Sequence, residues 1–298
     1  MAKHRIVVSA ENNPYMAWQC KLFYFSCVTR LKQQPLVILH NAGTTWCSEF
    51  YDLVRAGCQV YSAASYRTAA NGDDLPGRNA AASLILAADI CAGRDEFISL
   101  FDPDIIFVSP FDFLNCLSAE FSSFMDYDRE LVQEARKRLG IKREDLDAKK
   151  NKLTAAVPYV VPTLIAADFG RTWLEAIDVF PSRKENAQRF NGPPGAPTYK
   201  RRHVVMYALG LAAVKLGLEM EVTHLVDHNY WPDEPVRAPM IHYAYGDERW
   251  NKRNYFTEAE SAAVWNPQAH AAEATILAEI FSQLREAKDF YRNPYFPT

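Results

Sequence analysis

The first forty residues leave little choice of architecture. Arg5–Ala10 (RIVVSA) is a short apolar run, closed by the loop Glu11-Asn12-Asn13-Pro14. From Tyr15, apolar residues at Trp18, Leu22, Phe25 and Val28 keep helical spacing. Pro35 opens a second apolar run, Leu36–His40, which ends at Asn41-Ala42-Gly43. Strand, helix and strand in that order predict two parallel strands joined by a right-handed crossover. Cys58-Gln59-Val60-Tyr61 reads as a third strand, and the Gly- and Asp-rich segment Thr68–Arg78 as a loop. Asn79 then reads as the N-cap of a small-residue helix that begins at Ala80. This alternation predicts an α/β fold, a mixed but mostly parallel sheet flanked by helices, with ligands at the carboxyl ends of its strands.

Further along, Leu131, Ala135, Leu139 and Leu146 form an apolar stripe through a basic segment, 126–152. That segment holds Arg136, Lys137, Arg138, Lys142, Arg143, Lys149, Lys150 and Lys152. It reads as a surface helix pair with a solvated basic face; the sharper alternative is a patch facing a polyanion. Val157–Ala167 is strand-like, Thr172–Phe180 helical, and 181–202 a long Pro/Gly/basic loop of the kind that is usually functional. A helix over His203–Leu216, apolar runs at Glu219–Val226 and Met240–Tyr243, and a last helix over Pro267–Asp289 complete the chain. Neither a repeat nor a linker interrupts it, so one domain over 1–298 is expected.

Composition narrows the partners. With 49% apolar residues, 13% aromatic and a net charge of -3, the chain has ample core and no global field toward nucleic acid or anionic lipid. The six cysteines (Cys20, Cys27, Cys47, Cys58, Cys91, Cys116) include no C-x-x-C pair and read as reduced core residues. No apolar run reaches the ~20 residues of a membrane span, and Met-Ala-Lys-His is no signal peptide. A soluble, cytoplasmic protein with no membrane partner is expected.

The chemistry-bearing stretch is Leu100-Phe101-Asp102-Pro103-Asp104-Ile105-Ile106-Phe107-Val108. Two carboxylates sit between apolar runs where charge is rare. On an extended backbone Asp102 and Asp104 share a side, with Pro103 withholding a ladder hydrogen bond. That is a two-oxygen prong suited to a divalent cation carrying phosphates; the plain alternative is an Asp-Pro turn. His242, after the apolar pair Met240-Ile241, is the best third ligand for Mn²⁺ or Mg²⁺. Lys252 and Arg253 supply positive charge for a diphosphate. His224 and His228, four residues apart near prolines, read as structural or surface residues.

Glu11–Cys20 (ENNPYMAWQC), Asp102–Phe107 (DPDIIF) and His242–Gly246 (HYAYG) resemble the hydroxyproline O-arabinosyltransferases and peptidyl-serine galactosyltransferases of plants, which are GT-A-type glycosyltransferases. Arg78-Asn79-Ala80, Val161–Ile165 followed by Trp173, and Met206-Tyr207-Ala208 fit the same order, so the resemblance spans residues 5 to 256. It implies a GT-A fold and a nucleotide-sugar donor, usually UDP-linked. Ser9, Ala10, Glu11, Asn12 and Asn13 would border the nucleoside, and Asn79 would belong to the donor site. Asp102 would approach ribose and metal, Asp104 and His242 would ligate the metal, and Lys252 and Arg253 would face the diphosphate. The chain departs from that family at Val205, where the relatives carry an acidic residue, and in lacking their membrane anchor. A catalytic base is unassigned, with Asp168, Asp227 and Asp247 as candidates; retention or inversion of stereochemistry is open.

Three readings of the acceptor follow. The first is a 5-hydroxymethylated pyrimidine in DNA, as for phage-type enzymes and base-J glucosyltransferases; basic segments would grip phosphates while Phe190, Tyr199, Trp231 or Trp250 stack on an extruded base. The second is a hydroxyproline or serine hydroxyl in protein. The third is a binding protein on a GT-A scaffold, with no turnover.

Overall fold

The computed structural model describes residues 2–41, 43–123, 125–182 and 201–292, except the side chains of Arg201 and Arg202. The expected loop over 181–202 therefore lies outside the described residues from 183 to 200, as do Phe190 and Tyr199. The fold is mixed α/β, with a central seven-stranded, mostly parallel sheet flanked by helices. No helix among the described residues is long and apolar enough to cross a membrane.

The opening follows the sequence closely. β1 (His4–Glu11), β2 (Leu36–His40) and β3 (Gln59–Ala63) pair in parallel, with Val8 opposite Val37 and Ile38 opposite Tyr61. α1 (Pro14–Ser26) crosses between β1 and β2. It starts where it does because Asn13 Oδ1 accepts the Met16 N–H at 2.8 Å and Pro14 needs no donor in the first turn. α2 (Ser48–Arg55) makes the second crossover. β4 (Phe97–Phe101), β6 (Ser118–Glu120), β7 (Ala156–Pro162) and β8 (Glu221–Thr223) extend the sheet to the order β3-β2-β1-β4-β7-β6-β8, β7 running antiparallel to β4 and β6. A smaller sheet joins β5 (Ile105–Phe107), β10 (Met240–His242) and β9 (Val226–His228), in that order.

The chain forms two compact units, each discontinuous in sequence. One comprises Met1–Arg5, Ser65–Leu100 and Phe113–Thr223. Its helices α3 (Arg78–Cys91) and α6 (Thr163–Asp178) meet at Gly170, where a Cβ would lie 2.7 Å from Ile85 Cγ1 and 2.9 Å from the Ala81 carbonyl oxygen. α7 (Arg201–Lys215) packs on α6, and Trp173 Nε1 donates to the Val205 carbonyl at 2.8 Å. Val205, at the position expected to be acidic in relatives, is buried.

α4 (Glu130–Arg138) and α5 (Arg143–Lys149) are the expected basic helix pair, and Leu131, Ala135, Leu139 and Leu146 are all buried. Its charges are largely answered from within. Arg138 pairs with Glu134, Arg143 and Lys150 each pair with Asp128 and Asp147, and Lys149 with Glu219. Arg136 is buried, donating to Gln133 and to the Ile141 carbonyl. Lys137, Lys142 and Lys152 remain exposed.

The other unit comprises Ile6–Ala64, Phe101–Asp112 and His224–Thr298. Its core gathers Trp18, Leu22 and Phe25 of α1 with Ile106, Ile241, Tyr243 and Trp250, closed by α9 (Ile276–Arg292) through Ile280, Phe281 and Leu284. Burying each such side chain contributes about 1.5–3 kcal/mol.

Four expectations need correction. Asn79 is not the N-cap of α3: Gly77 holds that position, and Asn79 Oδ1 instead accepts the Tyr66 N–H at 2.8 Å. The strand-like run to Ala167 ends at Pro162, and α6 begins at Thr163. Its buried residues Ala166, Phe169, Gly170, Trp173 and Ile177 keep helical spacing that composition alone masks. The last helix starts at Ile276 rather than Pro267; before it lies a short helix, α8 (Glu258–Ala263), whose Thr257–Glu260 capping box was legible in sequence. Trp250, considered for stacking on a base, is 2% exposed and belongs to the core.

Candidate functional site

The chain leaves the large sheet at Phe101 and enters the small one at Ile105, and the acidic pair lies in between. Asp102 and Asp104 therefore flank a turn rather than project from one side of an extended strand. That turn is held firmly. The Tyr243 N–H donates to the Asp104 carbonyl at 3.0 Å, and the Tyr243 hydroxyl donates to the Pro103 carbonyl at 3.2 Å. Because β10 runs antiparallel to β5 with His242 opposite Ile105, the imidazole falls beside Asp104. His242 Nε2 lies 3.1 Å from Asp104 Oδ2.

A second positive group reaches the same oxygen. The Lys252 ammonium forms an ion pair with Asp104 Oδ2, and both side chains are buried. Lys252 is delivered by the turn from Gly246 to Asn251, closed by a bridge between those two residues. A Cβ on Gly246 would lie 1.9 Å from the Trp250 carbonyl oxygen, so the close approach of the two arms requires glycine. Asn251 Oδ1 then accepts the Arg253 N–H at 3.0 Å and starts the 3₁₀ turn Lys252–Asn254.

The electrostatics split the two acids. Burial pushes Asp104 up, but the Lys252 and His242 charges and hydrogen bonds outweigh it and hold the carboxyl well below the usual range. Asp102 keeps some solvent access, yet the surrounding protein, with the Asp104 charge adding to it, pushes its carboxyl up to about 6. For Lys252, burial lowers the ammonium but Asp104 more than restores it, so it stays charged. Burial, then the neighbouring His242, pushes the His228 imidazole down to about 4, with the two rings 5.4 Å apart.

The amino-terminal candidates sit at the carboxyl end of β1, as the fold class requires. Ser9 and Ala10 are buried, and Glu11 closes the strand. Asn12 organises the neighbouring loop: its Nδ2 donates to the Thr45 carbonyl at 2.9 Å and to Thr44 Oγ1 at 3.1 Å, while Oδ1 accepts the Cys47 N–H at 2.9 Å. Asn13 is spent as the α1 cap. His40, which sequence reading passed over, is buried at the end of β2 with Nδ1 2.7 Å from the Ala64 carbonyl. Its position after four apolar strand residues was the available signal.

Other candidates fall elsewhere. Arg253 is exposed, with Cζ 4.2 Å above the Tyr245 ring. Asn79 and Asp168 belong to the other unit, where Asp168 is an exposed partner of Arg171. Asp227 Oδ2 accepts the N–H groups of Arg237 and Ala238 at 2.7 and 2.8 Å, and Asp247 pairs with Arg249. Each of these three aspartates has a structural partner.

Among the described residues, no three His, Cys, Asp or Glu side chains are already arranged around a metal position. The chemistry of Asp102, Asp104 and His242 nevertheless fits a divalent cation on two observations. His242 Nε2 and Asp104 Oδ2 lie 3.1 Å apart, so one cation could take a donor from each in place of that hydrogen bond. Asp102 adds a second carboxylate, pushed up by burial and then by the Asp104 charge, and a cation would offset that repulsion. No family model matches the chain, and no curated protein is similar to it in sequence.

Proposed function

We propose that this protein is a metal-dependent glycosyltransferase that moves a sugar from a nucleoside diphosphate, UDP in the first instance, to an acceptor hydroxyl. The observation that carries this reading is the Asp102/Asp104 pair at the end of β4, with Asp104 buried and His242 on it. Mn²⁺ or Mg²⁺ bound by Asp102, Asp104 and His242 would supply Lewis-acid charge for the leaving diphosphate. Asp104 is ionised across the physiological range, so it offers a carboxylate without waiting on a proton. Lys252 holds Asp104 in place and adds a buried positive charge beside it. Asn12 fixes the loop after β2 at the strand ends, where the nucleoside would lie.

For the acceptor, a 5-hydroxymethylated pyrimidine in DNA is our first choice and a hydroxyproline or serine hydroxyl in protein the second. The internal pairing of Arg138, Arg143, Lys149 and Lys150 favours the second, because paired charges release fewer counterions from a phosphate backbone. A non-catalytic binding role is favoured by one feature alone, the Lys252 ammonium already neutralising Asp104.

The experiment is transfer from radiolabelled UDP-sugars, with and without Mn²⁺, to hydroxymethylcytosine DNA, hydroxymethyluracil DNA or a hydroxyproline peptide. Label incorporation that needs the cation is expected. Incorporation only into peptide removes the DNA acceptor. No cation-dependent release of sugar with any acceptor, or with water, removes the enzyme reading.

A further inference from the structure

We infer that Tyr230, Trp231, Tyr245 and Arg253 form a stacking subsite for a nucleobase and its adjoining phosphate on the acceptor side of the Asp104 site. This deepens the acceptor half of the proposed function. A continuous run of rings leads outward from the acidic pair. His242 meets His228 with ring centroids 5.4 Å apart, His228 meets Tyr230 at 5.9 Å, and Tyr230 meets Tyr245 at 5.1 Å. Trp231 sits edge-on to Tyr230 at 6.1 Å. The inner end, at His242 and His228, is half-buried, whereas Tyr230 is 49% exposed and Trp231 62% exposed.

The shelf is built rather than accidental. Asn229, 1% exposed, donates from Nδ2 to the Tyr245 carbonyl at 2.7 Å and accepts the Tyr245 N–H on Oδ1 at 3.3 Å. That two-way amide clamp fixes the Tyr230 loop to the Tyr245 loop, so the rings are aligned before any ligand arrives. An indole exposed to this extent leaves apolar ring surface in water with no gain to the fold, and a planar partner that covers it would remove that surface from water.

Arg253 identifies that partner. Its guanidinium carbon lies 4.2 Å from the Tyr245 ring centroid, and the group makes no hydrogen bond or ion pair with the described residues, so its N–H fork is available. The other cations around the shelf are committed: Arg249 to Asp233 and Asp247, Arg237 to Glu234, and Lys252 to Asp104. A π-surface next to one uncommitted guanidinium matches the two ends of a nucleotide, base and phosphate. A peptide hydroxyl offers neither a large π-face nor a formal negative charge.

The test is binding of a short single-stranded thymidine oligonucleotide to the full chain, in chelator and without donor, followed by tryptophan quenching and anisotropy. Trp231→Ala is expected to weaken binding about tenfold or more, whereas Trp231→Phe retains most of it. Arg253→Ala is expected to reduce the slope of log affinity against log salt by about 0.7, the loss of one phosphate contact. Wild-type affinity in Trp231→Ala, no oligonucleotide binding by the wild type, or Trp231-dependent binding of a hydroxyproline peptide alone would each overturn the subsite. Because donor and cation are absent, failed UDP-sugar turnover by the wild type counts against the proposed function only.

Discussion

Asp104 carries two loads that pull in different directions. It is a proposed ligand of the cation, and it is also the sole carboxylate partner of the buried Lys252 ammonium among the described residues. Removing it therefore does more than empty a ligand position. Asp104→Ala is expected to abolish transfer and also to cost about 3–5 kcal/mol of stability, because an uncompensated ammonium stays buried. Urea unfolding measures the cost. The double variant Asp104→Asn/Lys252→Met is expected to recover most of that stability while remaining inactive. Equal losses in the single and double variants would show that the pair is not coupled. Lys252→Met alone is the informative partner: it leaves the acids for the cation, so its transfer should saturate at lower Mn²⁺ than the wild type's if the lysine and the metal compete for Asp104.

At the level of elements, two close approaches set the architecture. Gly170 lets α6 sit against α3, with the Ala81 carbonyl 2.9 Å from where a Cβ would be. Gly170→Ala is expected to destabilise by about 1–3 kcal/mol through overpacking, read from the urea midpoint, since a backbone oxygen cannot step aside as a side chain can. Gly246→Ala, with its Cβ 1.9 Å from the Trp250 oxygen, must open the turn that delivers Lys252. The α4–α5 pair makes a separate, pH-dependent prediction. Hydrogen bonds from Lys150 and Arg143 hold Asp128 below the ordinary carboxylate range, and those from Arg143 and Lys150 do the same for Asp147. Groups lowered in the folded state contribute stability above their unfolded value, and lose it as pH falls through the folded one. A small stability difference between wild type and Asp128→Asn/Asp147→Asn should thus be present at neutral pH and fade below about pH 4. Both acids are exposed, so salt should shrink it as well. Some elements were read from local signals alone: the Leu36–His40 strand in full, and α1 from Tyr15, one residue after its Pro14 start; the Thr257–Glu260 box is equally local but was passed over. The start of α6 was not read in this way. Leu164-Ile165-Ala166-Ala167 has the composition of a strand, and only packing on α3 decides that it is a helix.

For the molecule as a whole, the proposed function turns on a cation and an acceptor. Chelation is expected to remove transfer and Mn²⁺ to restore it, with direct binding of Mn²⁺ followed by electron paramagnetic resonance; a chelator-insensitive enzyme would rule out the Asp102/Asp104/His242 centre. The sequence by itself determined the α/β class, the parallel opening and the identity of the acidic pair. Those depend on periodicity and on charge placed among apolar neighbours, and both are local. It also placed Asp104 and His242 in one hypothesis, which their 3.1 Å contact brings together in space. Tertiary structure alone decided that the pair flanks a turn, that Lys252 buries its charge on Asp104, and that the basic helices answer their own charges. It alone drew Tyr230, Tyr245 and Arg253 together. Each of these is a contact between residues distant in the chain, and its energy depends on burial and on which opposite charge arrives first, quantities that a linear spacing does not carry.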